Sequence, residues 1–309
     1  MQFRSVRRSA VLALAATTVL TTVSCSSDDG ASASSARPSS SSQARPSSSS
    51  PASSSSTEGG TYLALGDSVP FGYRGGETDT EYHDAANFHG YPDTVGDELG
   101  FDVLNAACPG ETTASFLDVA AQSNGCASSG PTQPTAFRTV YPLHVDYASP
   151  QQSQLDYAVQ TLTARDDVEL VTLQIGANDV AICQATTSDR CTTEIRDVVD
   201  TVEKNVTTVL DALRDDAGYD GTIVVVTYYS LNYAKVRTTI GTRLLNDALT
   251  NAAKAGGAEV ADAFDEFQPE AEAAGGSPIA AGLVLPDDVH PSEEGHRLLT
   301  DAVMSAVNG

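Results

Sequence analysis

Apolar positions along the chain fall into short continuous runs that alternate with longer stretches of helical spacing. Tyr62–Leu65 is a short apolar run stopped by Gly66, and it predicts a buried strand. Tyr91–Leu99 has helical spacing and ends at Gly100, and Phe101–Asn105 then predicts a second strand. Gln151–Ala164 predicts a helix with Leu155, Val159 and Leu162 on one side, and Glu169–Ile175 predicts a strand stopped by Gly176. Ile195–Arg214 repeats apolar residues from Val198 to Leu213 at the helical period, a long amphipathic helix. Thr222–Thr227 reads as a strand buried on both faces, as parallel sheets require. A helix over Arg237–Ala255, a strand over Glu259–Ala263 and a closing helix over Glu293–Val307 complete the pattern. Alternation of this kind predicts an α/β fold on a mostly parallel sheet. Residues 71–90 and 106–150 lack a period and predict long loops, which are commonly functional.

The first 60 residues follow another pattern. Arg4, Arg7 and Arg8 precede a short apolar stretch from Val11 to Leu20, which reads as a secretory signal over residues 1–24. It is shorter than the roughly 20 apolar residues of a spanning helix. The run Thr22-Val23-Ser24-Cys25 resembles the lipobox of bacterial lipoproteins, with Thr22 where Leu is usual. Cys25 is therefore a candidate lipidation site, and cleavage by an ordinary signal peptidase is the alternative. Residues 25–60 are mostly Ser with Pro and Ala, too polar to offset the entropy of ordering, and predict a disordered tether. The expected location is the outer face of the membrane, or the medium if Cys25 stays unmodified.

Residues 61–309 remain, enough for one well-buried domain. The chain carries −24 overall, the signal +3 and residues 25–60 −1, which leaves −26 on this domain. Such acidity argues against nucleic acid as a partner and against adhesion of the domain to anionic lipid, leaving the anchor as its membrane contact. A monomer is expected. The chain has five cysteines. With Cys25 set aside, Cys108, Cys126, Cys183 and Cys191 allow three pairings. Pairing nearest neighbours, Cys108 with Cys126 and Cys183 with Cys191, closes the shortest loops, at roughly 3 kcal/mol each by chain entropy. No C-x-x-C or metal-type His spacing accompanies them, so no metal is expected.

Candidate chemistry lies at the ends of the predicted strands. Ser68 follows Gly66 and Asp67 directly after the first strand, and Asn178 follows Gly176 after the third. In open α/β sheets the site lies beyond the carboxyl ends of strands, which puts both on one edge. A serine hydroxyl needs a base to become a nucleophile. His290 is the best placed of the five histidines, just before a helix, with Asp287 three residues upstream to fix its tautomer. The backbone N–H of Ser68, a backbone N–H near Gly110 and the amide of Asn178 are candidate oxyanion donors. Each of these residues alone reads more simply as a turn or surface residue; the set together points to acyl transfer.

Gly66-Asp67-Ser68, Gly110, Gly176-Ala177-Asn178-Asp179 and Asp287-Asp288-Val289-His290 resemble, in order, the four blocks of the SGNH or GDSL-type serine hydrolases. The resemblance covers Tyr62 to Val307 and is nearest to secreted actinobacterial esterases and lipases with disulfide-braced loops. It implies a three-layer α/β/α, flavodoxin-like fold and no cofactor. It implies Ser68 as nucleophile, His290 as base and Asp287 as the third triad member. Ser68 N–H, Gly110 N–H and Asn178 Nδ2 would form the oxyanion hole. Val69 stands where the family has Leu, and family spacing picks Asp287 over the adjacent Asp288. Some relatives orient the histidine with a main-chain carbonyl instead. The function expected is hydrolysis of carboxylic esters, small or lipid. Removal of O-acetyl groups from a polysaccharide or cell-wall glycan is the second reading, and an inactive tethered binding lipoprotein the third.

Overall fold

A computed structural model describes residues 59–309. The signal, Cys25 and most of the tether lie outside the described residues. Five strands form one parallel sheet in the order β2-β1-β3-β4-β5: β1 (Thr61–Gly66), β2 (Asp102–Asn105), β3 (Val168–Gln174), β4 (Thr222–Val226) and β5 (Glu259–Ala261). Leu63 on β1 is in register with Leu104 on one side and Val171 on the other. β1 is buried at every position, because helices cover both faces of the sheet.

Helices Tyr91–Leu99, Ala263–Ala273 and Glu293–Asn308 pack on one face, and Gln154–Ala164, Ile195–Asp211 and Val236–Ala255 on the other. This is the expected three-layer α/β/α arrangement. The apolar stripe of Ile195–Asp211 buries Val199, Val202, Val206, Val209 and Leu210 in the main core. Ser153 caps the helix Gln154–Ala164, its Oγ accepting from Asp156 N while Asp156 reaches back to Ser153 N. No described helix is long and apolar enough to cross a membrane.

Short helical turns, Asp79–Tyr82, Thr113–Leu117 and Phe137–Val140, break the two long segments predicted as loops, and two longer helices also fall where no period was readable. Ala177–Thr186 starts at Gly176, and its turns rest on the neighbouring helix Ile195–Asp211 with Cys183 as its buried residue. Ala263–Ala273 contains Pro269, a residue that argues against a helix interior. Asp262 caps it through Phe264 N and Asp265 N, and Phe264 and Phe267 bury its apolar face.

The two long loops are built around their own core. Phe71, Phe88 and Phe137 are buried together with Ala107, and Tyr73, Tyr82 and Tyr141 pack against them. Phe71 meets Phe88 at 5.5 Å and Phe137 edge-on at 5.3 Å between ring centroids. Aromatic packing of this kind substitutes for regular hydrogen bonding in ordering a loop. Cysteines 108 and 126 are joined in one disulfide and cysteines 183 and 191 in another, the nearest-neighbour pairing.

Candidate active site

Ser68 is the first residue of a single helical turn, Ser68–Phe71, directly after β1. The turn is sharp because Gly66 adopts φ 137°, and a Cβ there would collide with the main-chain oxygen of Gln174 on β3. Asp67, wholly buried, caps the turn: its Oδ1 accepts from Val69 N at 3.0 Å and its Oδ2 from the Tyr228 hydroxyl at 2.5 Å. Burial pushes the Asp67 carboxyl up to about 6, against the opposing pull of those hydrogen bonds. As the first residue of its turn, Ser68 has no helical partner for its own N–H, which is left free to donate elsewhere.

His290 brings Nε2 to 2.9 Å from Ser68 Oγ. The residue that holds its other nitrogen is Asp288 and not the expected Asp287: Asp288 Oδ1 lies 2.5 Å from His290 Nδ1. Asp287 takes φ 59° in a tight turn and stays exposed at the cavity wall, and the turn swings the next carboxylate onto the imidazole. Asp288 also accepts from Gly75 N at 2.8 Å and Val289 N at 2.6 Å. Partial burial pushes the Asp288 carboxyl up, yet His290 and these two amides outweigh it and hold it well below the usual carboxylate range. The Tyr73 ring packs edge-on against the imidazole at 4.9 Å.

Asn178 sits in the first turn of Ala177–Thr186. One hydrogen of its Nδ2 is held by the main-chain oxygen of Glu111 at 3.0 Å, and its Oδ1 accepts from Asn124 Nδ2 at 2.9 Å. The amide is thereby fixed with its second Nδ2 hydrogen uncommitted to either partner. Gly110 adopts φ 82°, where a Cβ would meet the main-chain oxygen of Asn124, so the chain approaches closely here only as glycine. Ser68, Gly110, Asn178, Asp288 and His290 line one cavity of about 1480 Å³.

Behind that cavity is a polar network the sequence did not disclose. Gln154 accepts from Gly66 N at 2.6 Å, donates to Gly66 O at 3.0 Å and to Glu111 Oε2 at 3.3 Å. Ser115 Oγ donates to the other Glu111 oxygen. One side chain thus joins the β1 end to the loop that carries Gly110. Burial pushes the Glu111 carboxyl up to about 7. Asp179 accepts from Thr113 N at 3.0 Å and Thr113 Oγ1 at 2.7 Å, and desolvation pushes it up to about 6. Glu111 was visible only as the neighbour of Gly110, and no periodicity marks Gln154.

The other histidines fall away from this constellation. His296 is buried and its Nδ1 accepts from Tyr91 N at 3.2 Å, with desolvation pulling it down to about 3. His144 lies against the Phe71 main-chain oxygen at 3.0 Å, and His83 pairs with Asp79 at the surface. Among the described residues one cluster of ligand-type atoms forms, Cys108, Glu111 and Cys126, but its two sulfurs are bonded to each other and cannot serve as thiolates.

Comparison with known proteins gives a family and a fold. The GDSL-like lipase/acylhydrolase family matches residues 64–298. No curated protein sequence matches. Among solved structures, a variant of an acetyl-xylooligosaccharide esterase from Geobacillus stearothermophilus is similar at 18% identity and TM-score 0.51, covering 81% of this chain and 95% of that one. An acetylxylan esterase from the same organism matches at 18% identity and TM-score 0.50, with the same 81% and 95% coverage. A protein from Parabacteroides merdae assigned as a GDSL-like lipase matches at 15% identity and TM-score 0.50, again covering 81% and 95%. At these identities the likeness is one of fold.

Proposed function

The chain belongs to the GDSL-like lipase/acylhydrolase family and is a carboxylic ester hydrolase, and from that premise we propose an acyl-enzyme mechanism on Ser68, His290 and Asp288. Ser68 Oγ attacks the acyl carbon while His290 Nε2 takes its proton. Asp288 fixes the tautomer with the proton on Nδ1 and stabilises the imidazolium that forms. The negative charge developing on the carbonyl oxygen is met by the amides of Ser68 and Gly110 and the free Nδ2 hydrogen of Asn178. His290 returns its proton to the leaving alcohol, and a water activated by the same imidazole releases the acid. The observation that carries this reading is the unbroken hydrogen-bonded line Ser68–His290–Asp288 at 2.9 and 2.5 Å.

We also propose export, with Cys25 lipidated and the monomeric domain anchored at the outer face of the membrane, or secreted if Cys25 stays unmodified. The N-terminal pattern supports the anchor, and two disulfides support an exported compartment. Mature protein recovered from the medium with an unmodified N-terminus would remove the anchor. Ester hydrolysis is tested with p-nitrophenyl esters of graded chain length, alongside acetylated xylan, on wild type and Ser68→Ala. Removing the nucleophile should lower kcat by about 10⁴-fold or more. Turnover by Ser68→Ala within tenfold of wild type would place the chemistry elsewhere. Acetate release from the glycan in preference to long-chain esters would select the deacetylase reading.

A further inference from the structure

The described residues expose six large apolar side chains, and five of them stand around the mouth of the one cavity that holds Ser68: Leu231, Val236, Ile240, Ile279 and Val289. Val236 is 72% exposed and Ile240 53%. They lie at i and i+4 in the first turns of the helix Val236–Ala255, so both emerge on one side of it. Isolated exposed apolar residues are ordinary, but a group gathered around a functional opening marks an interaction surface.

The acidity of the domain as a whole argues against adhesion to anionic lipid, but the charge at this mouth differs from that of the rest. Residues 61–309 carry −26, with twelve cationic side chains among them. Three of those twelve, Arg190, Lys235 and Arg237, line the same cavity. The acids that line it are Asp67, Asp287 and Asp288. Asp67 is buried against Tyr228 and Asp288 is engaged by His290, which leaves Asp287 as the solvent-facing one. Asp189, just outside, holds Arg237 through its main-chain oxygen, and its carboxylate accepts from Thr193 N and Oγ1, which keeps it charged. The helix Val236–Ala255 also turns its N-terminus, the positive end of its dipole, toward this rim. Acids farther than a Debye length, about 8 Å at physiological ionic strength, are screened, so an approaching surface meets the three cations set against the exposed charges of Asp287 and Asp189.

Apolar side chains interleaved with Lys and Arg are the chemistry of a segment that lies in a lipid interface. The geometry points to the mouth rim, Leu231, Val236, Ile240, Ile279 and Val289 with Lys235 and Arg237, as a docking surface for an anionic lipid surface, from which the site draws its ester. The occupant is a lipid interface and not a second copy of the chain. The acidity of the remaining surface would then set orientation, leaving the mouth as the face that can approach. This rests on the esterase reading only in treating the cavity as the active site.

The chain has no Trp, so Val236→Trp places one reporter on the rim. Lys254→Trp places the control on the same helix, about 27 Å along it. The full chain is titrated with vesicles of phosphatidylglycerol in phosphatidylcholine, with and without brominated acyl chains. A blue shift and bromine quenching at position 236, none at 254, and a weaker response to phosphatidylcholine alone are expected. Lys235→Gln and Arg237→Gln should each weaken vesicle affinity roughly fivefold. No shift at 236, equal shifts at both positions, or equal response to phosphatidylcholine alone would overturn the proposal. So would a shift that grows with protein concentration before any lipid is added, which would give the rim to a second copy. Labelling of wild type by a fluorophosphonate, and its loss in Ser68→Ala, is read separately. Labelling without docking sinks the rim alone, and docking without labelling sinks the mechanism alone.

Discussion

Ser68 and His290 reach the same cavity on different kinds of structure. Ser68 stands at the end of a strand buried at every position and paired on both sides, with Gly66 clamped by Gln154 and Asp67 clamped by Tyr228. His290 stands on a loop outside the sheet. That loop is held by individual bonds: the bridge between Val284 and Pro291, made by Leu285 N to His290 O at 3.0 Å and Ser292 N to Leu283 O at 2.9 Å, then Asp288 N to Leu285 O at 3.3 Å and the Tyr229 hydroxyl on Val289 O at 2.6 Å. Asp288 adds the tie to Gly75 across the site. A sheet end fixes a side chain through register, whereas a loop fixes it through a handful of individual bonds, so the sequence spacing does not say which residue is brought to the site.

The sharpest way to break this comparison is at the carboxylate. Asp288→Asn keeps the shape but lets the imidazole adopt the wrong tautomer, a change that costs about 10⁴-fold in kcat where it has been made in a Ser-His-Asp site. Asp287→Asn should stay within a few-fold of wild type, because that side chain faces solvent. The measurement is kcat on a short p-nitrophenyl ester for both variants. If the Asp287 variant is the crippled one, the loop has a different register in solution and the expected spacing stands.

Asn178 tests the sheet-end side at a smaller scale. Its amide is oriented by Glu111 O and Asn124 Nδ2 rather than by chance rotamer. Asn178→Ala removes one oxyanion donor and should lower kcat by about 10²–10³ with KM little changed. A rise in KM with kcat little changed would show instead that the amide binds substrate in its ground state.

Much of the sheet side was legible. β1, β3 and β4 fall within a residue of the spans their apolar runs predict, and the helix over 237–255 begins one residue early, at Val236. These segments are buried by a periodic pattern, and the pattern is the signal. The helix predicted to Arg214 keeps its α-helical form to Asp211 and then widens into a π turn, Ala212–Asp216, which a period of apolar residues does not distinguish. The loop side was less legible for the same physical reason. The choice of Asp288 over Asp287 depends on one positive φ and on Gly75, 213 residues away in sequence. The order of residues 71–90 and 106–150 comes from non-periodic contacts among Phe71, Phe88 and Phe137. Gln154 and Glu111 lie on elements whose apolar spacing says nothing of their polar partners.

The smallest expected effect lies in the network under the sheet end, where stability and not turnover is the readout. Burial pushes Glu111 to about 7 in the folded protein from an ordinary value of 4.5. Between those values the folded state holds a proton the unfolded state has released. Stability from this group is therefore complete below the unfolded value and is lost as pH rises toward 7. Glu111→Gln is isosteric, keeps an acceptor for Gln154 and a partner for Ser115, and has nothing to ionise. It should match wild type in urea unfolding at pH 5 and exceed it at pH 8 by roughly 1–3 kcal/mol. Asp67 and Asp179, pushed up to about 6 by burial, lose stability in the same direction and remain in both proteins, so the difference between the two curves isolates Glu111. Parallel curves at both pH values would mean that Glu111 is ionised throughout, held by Arg138 and its hydrogen-bond donors more strongly than burial opposes it. The sheet end would then carry a buried charge beneath the oxyanion donors, and the rigidity credited to Gln154 would belong to that charge.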